Sequence, residues 1–157
     1  VSLGYWGVVG DAVDFANARE ARQLQANPSV ELRLGRHLDL SASLGYQRLS
    51  LEGREILRAS VSQLRSVYSF SPRAFVRATV QHRRTERNPA LHREPVEPER
   101  TSVDAQLLFS YKVNPLTVLF VGYSDDWDGF TAVDRTDVDL TRRGRTFFVK
   151  LGYGWRP

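Results

Sequence analysis

The sequence predicts an all-β protein, an antiparallel up-and-down transmembrane β-barrel of about eight strands. It is either a complete small barrel or the carboxy-terminal part of a larger one. Three observations lead there. Several segments alternate apolar and polar residues with period two, which gives a strand one greasy and one wet face. Short and long connections alternate along the chain, as in a meander whose two ends differ. No run of about 18 apolar residues exists, so no helix can span a bilayer, whereas about ten alternating residues suffice for a tilted strand.

The chain has 157 residues and is read as one domain, 1–157. It has no Cys, which excludes disulfides, thiolate metal sites and Cys nucleophiles. Lys plus Arg outnumber Asp plus Glu by 22 to 18. The basic residues are spread along the chain rather than clustered, so no nucleic-acid partner is expected. The chain starts at Val1 in what reads as mid-strand, and a piece of a longer protein is the favoured expectation.

Val1 to Val9 reads as a strand with Val1, Leu3, Tyr5 and Val9 on one face. Gly10 to Glu20 reads as a polar connection. Arg22 to Gly35 is a second strand, which either starts at Ser29 or carries a bulge, because Pro28 cannot donate a ladder hydrogen bond. After the turn Gly35-Arg36-His37, Leu38 to Leu51 alternates clearly, and the two form a hairpin. Glu52-Gly53 is a turn. Arg54 to Phe70 is a long strand whose pattern does not assign its faces. Ser71-Pro72-Arg73 turns into Phe75–Arg84. Thr85 to Arg100, with Pro89, Pro95 and Pro98, reads as a long outer loop (85–100). Ser102–Val113 is the next clear strand, and Asn114-Pro115 turns into Leu116–Asp125. Asp126 to Arg143 reads as a second long outer loop (126–143). The last strand, Arg145 to Trp155, alternates Phe147, Val149, Leu151, Tyr153 and Trp155 against small or charged residues.

The pieces SFSPR (69–73), SYKVNPLTVLFVGYSD (110–125) and FVKLGYGWRP (148–157) resemble a bacterial family. Its members share a carboxy-terminal barrel domain of unknown function behind a carbohydrate-binding-like β-sandwich. The resemblance covers roughly Arg54 to Pro157. It implies a bacterial outer-membrane location, outer-membrane lipid as surroundings, and a larger parent barrel. It also implies an amino-terminal carbohydrate-binding-like domain that this chain lacks. The closing strand, alternating and aromatic near its end, resembles those that barrel-assembly machinery receives. The family supplies no catalytic residues and no cofactor.

Taken in phase, Val103, Leu107, Phe109, Tyr111, Phe147, Val149, Leu151, Tyr153 and Trp155 are expected to face lipid. Arg77, Gln81, Arg83, Asp104, Gln106, Lys112 and Lys150 are expected to face the lumen and to contact a solute. The plainer reading is a self-neutralising network that fills a narrow barrel, since eight strands leave an interior just wide enough for side chains. A rim cluster of His82, Asp125, Asp126 and Asp128 is a weaker candidate for activating water or holding a hard cation. Its spacing matches no metal loop, and adjacent loop aspartates are ordinarily solvated. Tyrosines near strand ends fit interfacial girdles.

The expected function is therefore a membrane anchor and a pore or solute-binding channel, without metal or cofactor. A rim-located hydrolase using His82, Asp125 and Asp126 is one alternative. A soluble lipocalin-like barrel, with Phe109, Tyr111, Leu151 and Tyr153 lining a cavity, is another.

Overall fold

The alternation becomes eight strands in the computed structural model, which describes residues 1–14, 18–131 and 140–154. They are β1 (Ser2–Asp14), β2 (Arg19–Leu34), β3 (Leu38–Leu51), β4 (Arg54–Ser71), β5 (Ala74–Arg87), β6 (Glu99–Asn114), β7 (Thr117–Thr131) and β8 (Thr141–Tyr153). All pair antiparallel in one sheet of order β1-β2-β3-β4-β5-β6-β7-β8, an up-and-down meander. The edges β1 and β8 are not paired with each other, so the sheet is open. A three-residue 3-10 turn at Pro89–Leu91 is the only helical element among the described residues. No helix is long and apolar enough to cross a membrane.

The tight turns have the chemistry they need. Glu52 and Gly53 both lie at positive φ (49° and 80°), as the primed two-residue hairpin turn requires. Gly35, at φ 64°, opens the β2–β3 turn. Asn114 Oδ1 accepts from the Leu116 amide at 2.9 Å, an Asx turn that locks β6 to β7. At Pro28, β2 keeps its register with Tyr5 on β1, but the ladder to β3 is interrupted between Ala26 and Ser29.

The connections at the far end are shorter than the sequence implied. The loop expected over 85–100 shrinks to 88–98, because β5 runs to Arg87 and β6 starts at Glu99. The loop expected over 126–143 is cut from both sides by β7 and β8, and residues 132–139 lie outside the described part. Gly10–Asp14 and Arg19–Glu20 are likewise strand. Polar composition did not stop the ladders, because cross-strand ion pairs such as Arg84–Glu99 and Arg58–Glu86 occupy the extended rungs.

Register assigns every side chain to one of two faces, including those of β4. The apolar face carries Leu64 and Tyr68 from β4, Val76 and Val80 from β5, and Leu107, Phe109 and Tyr111 from β6. It continues with Val121 and Tyr123 from β7 and Phe147, Val149 and Leu151 from β8. Almost none of this is covered: Ala21 and Ile56 are the only buried hydrophobic residues among those described, while Phe147 is 67% exposed and Leu151 64%.

The apolar face ends in charge, and the boundary slopes. Its first charged residue is Asp11 on β1, Arg22 on β2, Arg48 on β3, Arg58 on β4, Arg84 on β5, Glu99 on β6, Asp125 on β7 and Arg145 on β8. Followed strand by strand, the row of Arg145 and Asp125 passes through Ala105, Val80, Leu64, Ala42 and Val30 to Leu3, well below Asp11. The boundary thus slides by about eight residues over about seven strand-to-strand steps. At ~3.3 Å per residue and ~4.8 Å between strands this is a slope of about 38°.

Candidate functional site: the polar face

The opposite face collects the polar residues of every strand. Gln63 on β4 pairs Gln81 on β5, which pairs Asp104 on β6, which pairs Asp126 on β7. One rung toward the short turns lie Arg65, Thr79, Gln106 and Ser124. One rung the other way, Arg83 pairs Ser102 and Ser102 pairs Asp128. Toward the short turns the same face becomes aromatic, with Phe75, Phe120 and Phe148. There Gly122 lies under Phe148, and a Cβ at Gly122 would run into that ring.

At the far end this face forms a cleft of about 600 Å³ lined by four arginines (Arg83, Arg87, Arg100, Arg143) and three aspartates (Asp104, Asp126, Asp128). Arg83 Nη2 meets Asp104 Oδ2 at 2.6 Å. Arg100 grips Asp128 with two nitrogens, Nε at 3.3 Å and Nη2 at 2.8 Å, a fork that fixes orientation as well as charge. Arg143 Nη1 approaches the same carboxylate at 3.2 Å. The hydrogen bond from Arg100, helped by the field of Arg143, holds the Asp128 carboxyl below its ordinary value against the opposing effect of burial. Asp128 stands beyond the charge boundary, outside the apolar band.

All seven residues expected in the lumen lie on this face, but they do not form one network. Arg83 and Asp104 pair. Arg77, Gln81, Gln106, Lys112 and Lys150 have no side-chain hydrogen bond or ion pair among the described residues. They present free donors and acceptors to whatever fills the space before them.

The rim cluster is divided by the sheet. Asp126 and Asp128 belong to the polar face. Asp125 belongs to the apolar face, where Tyr123 donates to its Oδ2 at 3.0 Å and Arg142 Nε lies 3.0 Å from Oδ1. Arg142 also stacks on the Trp127 ring, 4.4 Å from its centroid. His82 is on the apolar face too, paired with Ser62 and Val103. These four residues therefore do not converge, because neighbours in a strand point to opposite sides. They are also not on a loop, since β7 extends to Thr131. Among the described residues no group of three His, Cys, Asp or Glu is placed to hold a metal.

Of the residues expected to face lipid, Val103, Leu107, Phe109, Tyr111, Phe147, Val149, Leu151 and Tyr153 share the apolar face. Trp155 lies outside the described residues. Sequence reasoning missed the Arg100–Asp128–Arg143 assembly. The turn alone would not have revealed it: counting outward from Asn114↔Thr117 sets Asp128 opposite Val103, and only the register shift between Lys112 and Asn114 brings it opposite Ser102 and diagonal to Arg100. No family model, curated protein or solved structure matches the chain, so no name or activity comes from outside its own residues.

Proposed function

We propose that this chain is wall of a bacterial outer-membrane β-barrel, with its apolar face in lipid and its polar face lining an aqueous lumen for polar solutes. The outer-membrane assignment rests on the resemblance of its turn-and-strand pieces to barrel domains. The sloping boundary is the observation that carries the membrane reading. A flat water–lipid interface crossing tilted strands must cut each one at a different residue. Barrel strands tilt by about 35–45° from the axis, and the slope here, about 38°, falls in that range. On β6 the apolar run from Val103 to Tyr111 spans roughly 26 Å along the strand and about 21 Å along the normal at that tilt. The lipid-facing band of such barrels is about 25 Å tall.

The aromatic residues support the same reading. Tyr46 sits one rung below Arg48, and Tyr123 one rung below Asp125. Tyr68, Tyr111 and Tyr153 lie near the short turns. Two tyrosine levels bracket the apolar band, where their amphipathic rings favour both boundaries. Five polar-face residues without protein partners favour water in front of them over a filled core. The alternative of a rim hydrolase loses its geometry with Asp125 turned away from Asp126 and Asp128.

The chain has no native Cys, so single cysteines report cleanly. In zwitterionic vesicles, cysteines at 105, 107 and 109 should resist a water-soluble maleimide, whereas cysteines at 104 and 106 should react. Equal labelling at both sets would remove the membrane reading.

A further inference from the structure

Charge is unevenly placed on the polar face. Toward the long connections it is mixed, with Arg83 on Asp104 and both Arg100 and Arg143 on Asp128. Toward the short turns it is of one sign. Below the row of Gln63, Gln81, Asp104 and Asp126, strands β4 to β8 put Arg65, Arg77, Lys112 and Lys150 on this face and no acid. The acids at this level are Glu31 on β2 and Asp39 on β3, and Arg33 already holds Asp39 at 2.8 Å. Were closure to bring both acids round, the five cations Arg33, Arg65, Arg77, Lys112 and Lys150 would still outnumber them. Two rings are set among these cations. Phe120 pairs directly with Lys150, and Lys112 pairs with Val118, two residues before Phe120 on the same face. Phe148 pairs with Gly122, in one row with Leu108 and Arg77. Its ring takes the space over Gly122 that a side chain would fill, and Phe148 stays 45% exposed. Among the described residues no cation lies over either ring, and Arg77, Lys112 and Lys150 have no ion pair. Directly opposed Cβ atoms are about 5 Å apart, so one small molecule can meet a ring and an ammonium group together.

We propose that this strip binds organic anions that carry an aromatic ring, the carboxylate between Lys112 and Lys150 and the ring against Phe148, with Phe120 beside it. Arg77 adds to the positive field in the row of Phe148. The inference rests on the lumen reading above and names its solute class. An aromatic carboxylate matches both parts of the strip. An inorganic anion leaves the rings bare, and an aromatic cation is repelled by the lysines.

The test is equilibrium dialysis of labelled benzoate, benzylamine and acetate against the chain in phosphatidylcholine vesicles at low salt, measured over protein-free vesicles. Wild type should retain benzoate over benzylamine by about ten-fold, the scale of one charge-assisted hydrogen bond. It should retain benzoate over acetate by about 2- to 10-fold, the scale of one ring–ring contact. Lys112→Gln with Lys150→Gln should abolish the first preference, and Lys112→Arg with Lys150→Arg should keep it. Phe148→Ala should narrow the second preference and leave the first. Arg145→Gln, on the same strand but the other face, should match wild type. A preference for benzoate over benzylamine that survives the double Gln variant, or is lost equally in Arg145→Gln, would overturn the site. So would equal retention of benzoate and acetate by wild type. Gln106→Cys in the same vesicles keeps the two failures apart. A cysteine there that resists the maleimide removes the lumen reading, and the site with it. One that reacts, in protein that retains benzoate no better than benzylamine, overturns the site alone.

Discussion

A charge placed at Leu107 or at Gln106 tests the two faces at one depth. The two are chain neighbours on β6 and point to opposite sides. Leu107 is the third of five outward residues, Val103 to Tyr111, so it lies about 10 Å from either edge of the apolar band at the tilt derived above. An Arg at the midplane of a barrel's lipid face costs about 2–4 kcal/mol. At ~1.4 kcal/mol per factor of ten, Leu107→Arg should shift the folding equilibrium by roughly 30- to 700-fold. Gln106→Arg puts the same charge toward water and should cost within about 0.5 kcal/mol, as surface changes do. The assay is equilibrium unfolding in guanidinium in the presence of lipid vesicles, with Trp fluorescence as the readout. In water Leu107 would be an exposed residue like any other, since it is 49% exposed. Equal small effects at the two positions would therefore refute the assignment of the faces.

Three further outcomes follow from local geometry. Glu52 is a non-glycine residue in the left-handed region, so Glu52→Gly should stabilise the β3–β4 hairpin, by about 1 kcal/mol in the same unfolding assay. Gly122→Val should destabilise by about 1–3 kcal/mol because the new side chain must displace the Phe148 ring, and Phe148→Ala in the same chain should recover part of the loss. Asp128 has a lowered folded-state pKa, so its contribution is full above the unfolded value near 3.9 and is lost as pH falls through the folded value. The stability difference between wild type and Asp128→Asn should accordingly be constant above about pH 5 and shrink in acid, as read by unfolding at stepped pH.

How much of this was legible in the sequence depended on the kind of residue. The strands β6 and β8 alternate cleanly, and their faces, turns and lipid-side candidates could be counted off directly. β4 could not be assigned, because its apolar face carries Ser60, Ser62 and Ser66 among Leu64 and Tyr68, which erases the period-two contrast. Its bulges, at Ile56 and at Phe70, also shift the count at both ends. The upper ends of β5 to β8 read as loop because Pro89, Pro95 and Pro98 and dense charge mask the alternation there. Arg84 and Glu99, or Arg100 and Asp128, are far apart in sequence and meet only through the ladder. The same blindness made Asp125, Asp126 and Asp128 look like a cluster. Three acids in four positions are close along the chain, but extended backbone sends Asp125 to the other side.

The sloping boundary carries weight because no single strand contains it. Each strand fixes one point, where its apolar face first meets charge, and the eight points fall along a slant only after register is known. Nothing among the described residues covers the apolar face, since Ala21 and Ile56 are the only buried hydrophobics there. On the proposed membrane reading the unpaired edges impose a second demand, since open N–H and C=O groups are not tolerated in hydrocarbon. β1 has no Lys, Arg or Pro to blunt its edge, as free edges usually do. On that reading β1 pairs either with β8 or with a strand outside this sheet, and a stagger of about one residue per strand fits either closure. What separates a narrow closure from a wide one is the polar face. Arg77, Lys112 and Lys150 have no ion pair among the described residues of this open sheet, so a filled eight-stranded interior would have to bring acids such as Glu31 and Asp39 to them from the facing wall. The wider, water-lined wall leaves all three hydrated at no such cost.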